Sequence, residues 1–156
     1  MGEARAARNK ILVVDDEMSF RLFLKVLFET NGYAPRLARD GTEALRLAGE
    51  CRPDLIVLDV MMPRSGGVDL YWRLHADAGL RDIPVIMLSA VAGSTFEHAL
   101  GMLGLAGTAL PRPFAYVEKP PRPETMLALV RAALGNDGGD RSTEEEDAHG
   151  AQDTGR

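Results

Sequence analysis

The stretch "KILVVDDE", residues 10–17, decides the fold and raises the first chemical question. Four apolar residues run directly into three acids, Asp15, Asp16 and Glu17. A continuous apolar run of this length is typical of a strand that is covered on both faces, as in a parallel sheet. Acids that lie side by side repel one another, and removing them from water costs free energy. The end of this strand therefore requires a compensating positive charge.

Apolar stretches of the same kind recur along the chain and predict four further strands. They are "APRLA" (34–38), "LIVLDV" (55–60), "PVIMLSA" (84–90) and "FAYV" (114–117). The stretch 34–38 is the weakest, and Pro35 suits a strand near the edge of the sheet because proline cannot donate to the hydrogen-bond ladder.

Helical patterns separate the predicted strands. Apolar residues spaced at i, i+3, i+4 and i+7 predict the buried stripe of a first helix, formed by Phe20, Phe23, Leu24 and Leu27. That helix ends at Asn31-Gly32. Further helices are predicted over residues 40–50, 68–76 and 95–103 and from Pro123 onward, with a capping-box pattern at Asp40 and Glu43. Strict alternation of strands and helices predicts an α/β fold with a doubly wound parallel sheet of five strands and five helices.

Length and charge divide the chain into three predicted parts. The 156 residues suffice for one domain, which we place at 9–134, after a flexible N-terminus at 1–8. Residues 135–156 are predicted to form a disordered acidic tail, because they have almost no apolar residues to bury. This tail has seven acids and two arginines, a net charge of −5 that equals the formal charge of the whole chain. The remaining residues are thus neutral, which argues against a nucleic-acid-binding protein.

Composition also indicates the compartment. No apolar run approaches the ~20 residues of a membrane helix, and the N-terminus lacks the apolar core of a secretory signal. Cys51 is the single cysteine, so the chain has no internal disulfide. We therefore expect a cytoplasmic protein that does not contact a membrane.

Polar side chains follow the predicted central strands at the points where the strands end. They are Asp15 and Asp16, then Asp59, Ser89 and Lys119. Because the carboxyl ends of parallel strands meet at one edge of a sheet, these groups are expected to converge. Clustered carboxylates need a cation, and oxygen-only ligands favour a hard ion, with Mg²⁺ the best match. A carboxylate can also accept a phosphoryl group, while a lysine and a serine can recognise its oxygens.

Each of these residues also has an ordinary structural explanation. The pair Asp15-Asp16 could be a solvated turn or a helix N-cap, and Asp59 could cap a strand end. Ser89 and Lys119, taken singly, are best explained as a turn residue and a surface lysine. Their joint occurrence at the ends of four separate strands makes chance a poor explanation.

Four segments together resemble the receiver domains of two-component response regulators. The segments are "KILVVDDE" (10–17), "PDLIVLDVMMP" (53–63), "IPVIMLSA" (83–90) and "YVEKP" (116–120). Each is weak alone, but the ordered set is specific, and the resemblance covers about residues 9–134. It implies a flavodoxin-like sheet with strand order 2-1-3-4-5, in a single-domain regulator similar to the chemotaxis regulators.

The resemblance also implies roles for individual residues. Asp59 would take a phosphoryl group from a sensor histidine kinase or a histidine phosphotransfer protein. Asp16 would bind Mg²⁺ directly, Asp15 would act as its water-linked or outer partner, and Met61 would offer its backbone carbonyl to the metal.

Further residues match the switch of the family. Ser89 matches the switch hydroxyl, Tyr116 the aromatic switch residue and Lys119 the phosphate-binding lysine, with a cis bond to Pro120 as in relatives. The protein would be a phosphoacceptor that assists its own phosphorylation and dephosphorylation rather than an enzyme. Since no output domain is visible after residue 134, its downstream target would be another protein, reached through a switched surface.

The sequence departs from the family pattern in two places. The stretch between Ser89 and Lys119 is longer than usual, with "GLAGTALPRPF" (104–114) where relatives have a short link. This leaves the end of the fourth helix and the face beside Tyr116 open. In addition, "PRSGG" (63–67) replaces the usual loop, and its glycines predict a more mobile segment.

Three alternatives stay open at this stage. A phosphorylation-independent pseudo-receiver would keep the fold as a binding module. A Mg²⁺-dependent phosphohydrolase or toprim-like nuclease would use similar acids, but these commonly need an acid at position 61, where the chain has Met61. A phosphohistidine transfer protein would need a helical bundle with an exposed histidine, but His75, His98 and His149 are scattered along the chain and the predicted strands argue against a bundle.

Overall fold

Strands and helices alternate throughout the part of the chain that the computed structural model describes, which is residues 7–63, 66–102, 105–107 and 109–135. In chain order the elements are β1 (Lys10–Val14), α1 (Met18–Thr30), β2 (Ala34–Ala38), α2 (Gly41–Cys51), β3 (Leu55–Asp59), α3 (Gly67–Ala76), β4 (Val85–Ser89), α4 (Phe96–Met102), β5 (Ala115–Glu118) and α5 (Pro123–Ala133). The five predicted strands and five predicted helices are all confirmed.

The five strands form one parallel sheet in the order β2-β1-β3-β4-β5. This order confirms the doubly wound topology, in which the chain moves outward from β1 in both directions. The register pairs Asp59 with Leu88 and Ser89 with Glu118. The carboxyl ends of β3, β4 and β5 therefore lie at the same edge of the sheet. The strand order thus brings residues that are distant in sequence to the same side of the molecule.

Strand residues alternate between two apolar cores, one on each face of the sheet. Helices α2, α3 and α4 cover the face formed by Leu12, Val14, Ile56, Leu58, Val85 and Met87. Helices α1 and α5 cover the opposite face, formed by Ile11, Val13, Leu55, Val57, Ile86 and Leu88. Because both faces are buried, the central strands read as continuous apolar runs without a polar side.

The buried stripe of α1 differs from the prediction at one position. Leu24 and Phe28 are its buried residues, while Phe20 and Leu27 pack partly against the same core. Phe23 is 39% exposed, so its place in the predicted stripe was wrong. The helix is rotated so that the i, i+4 pair Leu24 and Phe28 faces the sheet, which turns position 23 outward.

The ends of the helices follow the predicted signals. Gly32 has φ +86° directly after the C-cap of α1, and Pro123 opens α5. The Asp40 side chain accepts a hydrogen bond from the Glu43 backbone N–H at 2.8 Å, which confirms half of the capping box.

The long segment before β5 is attached to the core by a tyrosine of α3. The buried Tyr71 hydroxyl donates to the Pro111 carbonyl oxygen at 2.6 Å, and its ring meets the edge of Phe96 at 5.7 Å. Leu105 and Leu110 pack against the same core. Burial raises the pKa of Tyr71 to about 12, which keeps the hydroxyl a donor. The segment between β4 and β5 therefore extends the core beyond α4.

Most of the predicted flexible termini lie outside the described residues. Residues 1–6 and 136–156 belong to those segments, so the flexible N-terminus and the acidic tail stay predictions. Within the part of the chain that is described, no helix combines the length and apolar character needed to cross a bilayer.

Candidate functional site

The alternation of strand side chains directs three charged groups to the same corner of the sheet. Asp15, Asp59 and Lys119 each lie two residues beyond a side chain of the core beneath α1 and α5, namely Val13, Val57 and Val117. Because side chains two residues apart share a face, the three groups emerge on one side of the strand ends.

Asp15 is fixed by hydrogen bonds on both carboxylate oxygens. It is 1% exposed, and its Oδ1 accepts from the Glu17 backbone N–H at 2.8 Å. Its Oδ2 accepts from Lys119 Nζ at 2.7 Å. The backbone carbonyl of Asp15 accepts from Arg21 at 2.6 Å, which ties α1 to the end of β1. Asp15 therefore presents a carboxylate of set orientation to the cleft.

Of the two buried carboxylates among the described residues, Asp59 lies farther from the positive charge of Lys119. It is 4% exposed, its Oδ1 accepts from the Met61 backbone N–H at 3.0 Å, and Lys119 Nζ lies 3.6 Å from its Oδ2. Burial, followed by the negative charge of Asp15, raises the pKa of Asp59 from 3.8 to about 6. The Met61 hydrogen bond and the Lys119 charge act in the opposite direction without cancelling this shift.

Lys119 is the cation of the site. Burial acts to lower the pKa of Lys119, but the hydrogen bond that Lys119 donates to Asp15 and the charges of the neighbouring acids outweigh it and raise the pKa above its ordinary value. Its side chain is 11% exposed. Lys119 is therefore held as a desolvated ammonium group between two carboxylates.

Three carboxylates come close enough to share one metal ion. Asp15, Asp16 and Asp59 each offer an oxygen, and these oxygens lie within 4.8 Å of one another. Glu17 does not join the cluster, because its exposed carboxylate accepts from Ser19 at 2.9 Å. The cluster therefore has more carboxylates than the Lys119 ammonium can neutralise, and a divalent cation would offset the remaining negative charge. An all-oxygen donor set with an exposed member suits Mg²⁺, which keeps some of its waters.

The predicted switch residues lie on the other side of β4 and β5. Ser89 is buried, and its Oγ accepts from the Val91 backbone N–H at 3.2 Å. Half-buried Tyr116 shares a hydrogen bond with Ser94 Oγ at 3.0 Å through its hydroxyl. The Lys119 backbone N–H donates to the Ser89 carbonyl at 2.7 Å, which links the two sides. The predicted cis bond between Lys119 and Pro120 is confirmed.

Sequence reasoning missed three residues that shape the site. Phe20 was assigned only to the core, yet its ring faces the Lys119 ammonium at 4.2 Å. Arg21 was not singled out, although it binds the carbonyl of Asp15. Gly67 was attributed to loop mobility, whereas a Cβ there would lie 2.1 Å from the Asp59 carbonyl oxygen. A side chain at position 67 would therefore clash with the backbone of β3, and only the packing of α3 against β3 reveals this requirement for glycine.

Comparison with known proteins identifies this arrangement. The family model of the response regulator receiver domain matches residues 11–131. The chain belongs to the response regulator receiver family. It is 41% identical over 133 residues to the response regulator MprA of Mycolicibacterium vanbaalenii, a match covering 85% of this chain and 55% of that protein. MprA of Mycobacterium tuberculosis is 40% identical over 139 residues, covering 89% and 54%. The chain thus spans about half the length of the curated relatives it matches.

Solved receiver structures agree with the topology. The chemotaxis response regulator CheY4 of Vibrio cholerae superposes with a TM-score of 0.69 at 27% identity, covering 82% of this chain and all of the other. The signal receiver domain of a histidine kinase from Syntrophus aciditrophicus gives a TM-score of 0.67 at 30% identity, covering 87% and 97%. The flavodoxin-like fold and the strand order predicted from the resemblance are confirmed.

Membership of the family establishes the general role. Receiver domains are phosphoacceptors of two-component signalling, a class that is generally not counted among enzymes. Receiver domains generally bind Mg²⁺ at an acidic pocket, and response regulators take phosphoryl groups from histidine kinases.

Proposed function

We propose that Asp59 is the phosphoacceptor and that Mg²⁺ bound beside it is required for transfer. The observation that carries this proposal is the position of Asp59: buried, oriented by the Met61 N–H, facing Lys119 and within reach of Asp15 and Asp16. The phosphodonor would be a sensor histidine kinase or a histidine phosphotransfer protein in the cytoplasm.

The transfer would be a nucleophilic displacement at phosphorus. An Asp59 carboxylate oxygen forms the new P–O bond, while the bond from phosphorus to the imidazole nitrogen of the donor breaks and leaves its electron pair on that nitrogen. Lys119 and Ser89 would donate hydrogen bonds to the phosphoryl oxygens. The metal, held by Asp15, Asp16, Asp59 and the Met61 carbonyl, would neutralise charge on the transferring group when bound.

The phosphoryl group would act on the opposite side of the sheet through Ser89. If Ser89 moves toward the new acceptor oxygens, the hydrogen bond that its hydroxyl accepts from the Val91 N–H would either draw the loop from Val91 to Ser94 along or release it. Tyr116 is tied to that loop through Ser94, so its orientation would change with the loop. Phosphorylation would thus bias two arrangements of one surface, which a partner protein reads.

Labelling with acetyl phosphate tests the acceptor directly. We expect wild type to take up about one phosphoryl group per chain in the presence of Mg²⁺ and none after the metal is removed by chelation. Asp59→Asn should abolish the label, whereas Asp82→Asn, which changes an exposed acid after α3, should not. The bond formed should be labile to hydroxylamine, as expected of an acyl phosphate.

The same experiment separates the alternatives. A folded protein that stays unlabelled with every donor would be a pseudo-receiver, and the proposal would then be wrong. Continuous release of phosphate from generic phosphate esters, independent of labelling at Asp59, would instead support a phosphohydrolase.

The lifetime of the acyl phosphate is expected to depend on Met61. This side chain is 50% exposed on the loop after Asp59, and Val91 lies exposed on the loop after β4. Apolar side chains here should keep an attacking water from being oriented, so Met61→Asn should shorten the phosphate lifetime by about fivefold, which corresponds to about 1 kcal/mol of the barrier to hydrolysis. Met102→Asn, which changes an exposed methionine of α4, is the matched control. Equal lifetimes in wild type and Met61→Asn would contradict the prediction.

A further inference from the structure

An aromatic ring completes the surroundings of the Lys119 ammonium. The nitrogen lies 2.7 Å from Asp15 Oδ2 and 3.6 Å from Asp59 Oδ2, and the centroid of the Phe20 ring lies 4.2 Å away. A cation this close to an aromatic face is attracted by the ring quadrupole, and the attraction grows when water is excluded. The small exposure of the lysine side chain meets that condition.

The ring is held in place independently of the lysine. Phe20 lies in the first turn of α1 and packs against the core beneath α1 and α5. The start of α1 is fixed to β1 through Asp15, which accepts from Glu17 and from Arg21. Phe20 is therefore a rigid platform, while the lysine is a long side chain with many rotamers.

We propose that Phe20 is a positioning residue for Lys119, with its ring face holding the ammonium at the phosphoacceptor edge. This inference rests on the proposed function, because Lys119 matters here as the group that recognises the phosphoryl oxygens. The ring replaces water that would otherwise solvate the cation, and it leaves the N–H donors free to turn from Asp15 toward the incoming group.

An aliphatic side chain cannot replace this contact. Leucine would fill part of the same volume and keep water away, but it has no quadrupole to offset the desolvation of the ammonium. Phe20→Leu should therefore leave the fold intact and let Lys119 sample positions away from Asp59. Tyrosine keeps the ring face, so Phe20→Tyr should restore the wild-type behaviour.

The test uses the full chain and two measurements. The first is the rate of phosphorylation by acetyl phosphate at saturating Mg²⁺, which we expect to fall about fivefold in Phe20→Leu, the size of effect a single cation–π contact supplies. The second is the proton chemical shift of the Lys119 ε-methylene group, which the ring current moves upfield in wild type. In Phe20→Leu this shift should return to the ordinary lysine value, while the dissociation constant for Mg²⁺ stays unchanged.

Matched variants separate positioning from packing. Phe23→Leu removes the neighbouring exposed ring and should change neither measurement, whereas Phe20→Tyr should retain both. A Phe20→Leu protein with a lower melting temperature but the wild-type rate and ε-methylene shift would overturn the inference. So would equal loss in Phe20→Leu and Phe20→Tyr. Failure of wild type to become labelled would overturn the proposed function, and this inference with it.

Discussion

Gly67→Ala is expected to destabilise the protein by about 3 kcal/mol, the upper part of the range for overpacking a core. A Cβ at this position would lie 2.1 Å from the Asp59 carbonyl oxygen and 2.8 Å from the Val60 Cα. Both are backbone atoms, so no side-chain rotation can relieve the clash. The Gly67 N–H also donates to the Val60 carbonyl at 3.1 Å, which holds the start of α3 against the end of β3.

The same substitution should impair phosphorylation of the protein that remains folded. Moving α3 away from β3 shifts the backbone of Asp59, whose side chain is oriented by the Met61 N–H only two residues later. Because transfer depends on alignment to within a fraction of an ångström, we expect the acetyl phosphate labelling rate to fall more than tenfold. Urea denaturation followed by tryptophan fluorescence gives the stability, and labelling in the absence of urea gives the rate.

Gly49→Ala is the matched control for this prediction. Gly49 lies exposed within α2, and a Cβ there would have no atom within 4 Å. Alanine is the better helix former, so this variant should be up to about 1 kcal/mol more stable than wild type. If Gly67→Ala unfolds at the wild-type urea midpoint, the close approach of α3 to Asp59 is not a constraint and the prediction is wrong.

The fold could be predicted from the sequence because its signals are local. Five apolar stretches and the helical patterns between them placed all ten elements, and the doubly wound class follows from their alternation alone. The order of the strands came from the resemblance rather than from the residues, since apolar runs do not reveal which strands are neighbours. Phe23 was misassigned because a helix with several apolar residues permits more than one buried stripe, and only packing against the sheet selects Leu24 and Phe28.

The sequence was sufficient to predict which carboxylates and which lysine lie close together in the site. Asp15, Asp59 and Lys119 converge because each lies at the carboxyl end of a strand of the same parallel sheet, and Ser89 ends the strand next to that of Asp59. The partners within the site were not predictable, since Lys119 hydrogen-bonds to Asp15, 104 residues earlier, rather than to Asp59. Phe20 and Gly67 likewise act through contacts across the fold, which leave no pattern in the neighbouring sequence.

The second large effect concerns the charge of Asp59. Asp59→Asn is expected to stabilise the metal-free protein at pH 8 by about 2 to 3 kcal/mol. This is the free energy that corresponds to raising the pKa of the Asp59 carboxyl from 3.8 to about 6. The buried carboxylate has a pKa of about 6, raised from 3.8 by burial and then by the charge of Asp15. Asparagine fills nearly the same volume without a charge to desolvate, and it can still accept the Met61 hydrogen bond.

The direction in which stability changes with pH depends on whether Asp59 binds its proton more tightly in the folded protein or in the unfolded chain. Since the pKa of Asp59 is higher in the folded protein than in the unfolded chain, the folded state retains the proton to higher pH. The contribution of Asp59 to stability therefore falls as the pH rises from about 4 to about 6, and the full penalty is present above pH 6. The advantage of Asp59→Asn should be largest at pH 8 and should disappear by about pH 4.

Added Mg²⁺ should narrow the difference in stability between the two proteins if the metal binds where we propose, and it should reverse their order at about 100 times the dissociation constant or more. Ligand that binds only the folded state stabilises it in proportion to the logarithm of its concentration over the dissociation constant. Wild type should gain melting temperature with Mg²⁺ at pH 8, while Asp59→Asn, with one carboxylate fewer and no desolvated charge to neutralise, should gain much less. Asp82→Asn should behave as wild type. An Asp59→Asn protein that is no more stable than wild type at pH 8 without metal would show that Lys119 already compensates the buried charge, and the electrostatic reason for a divalent cation at this cluster would no longer hold.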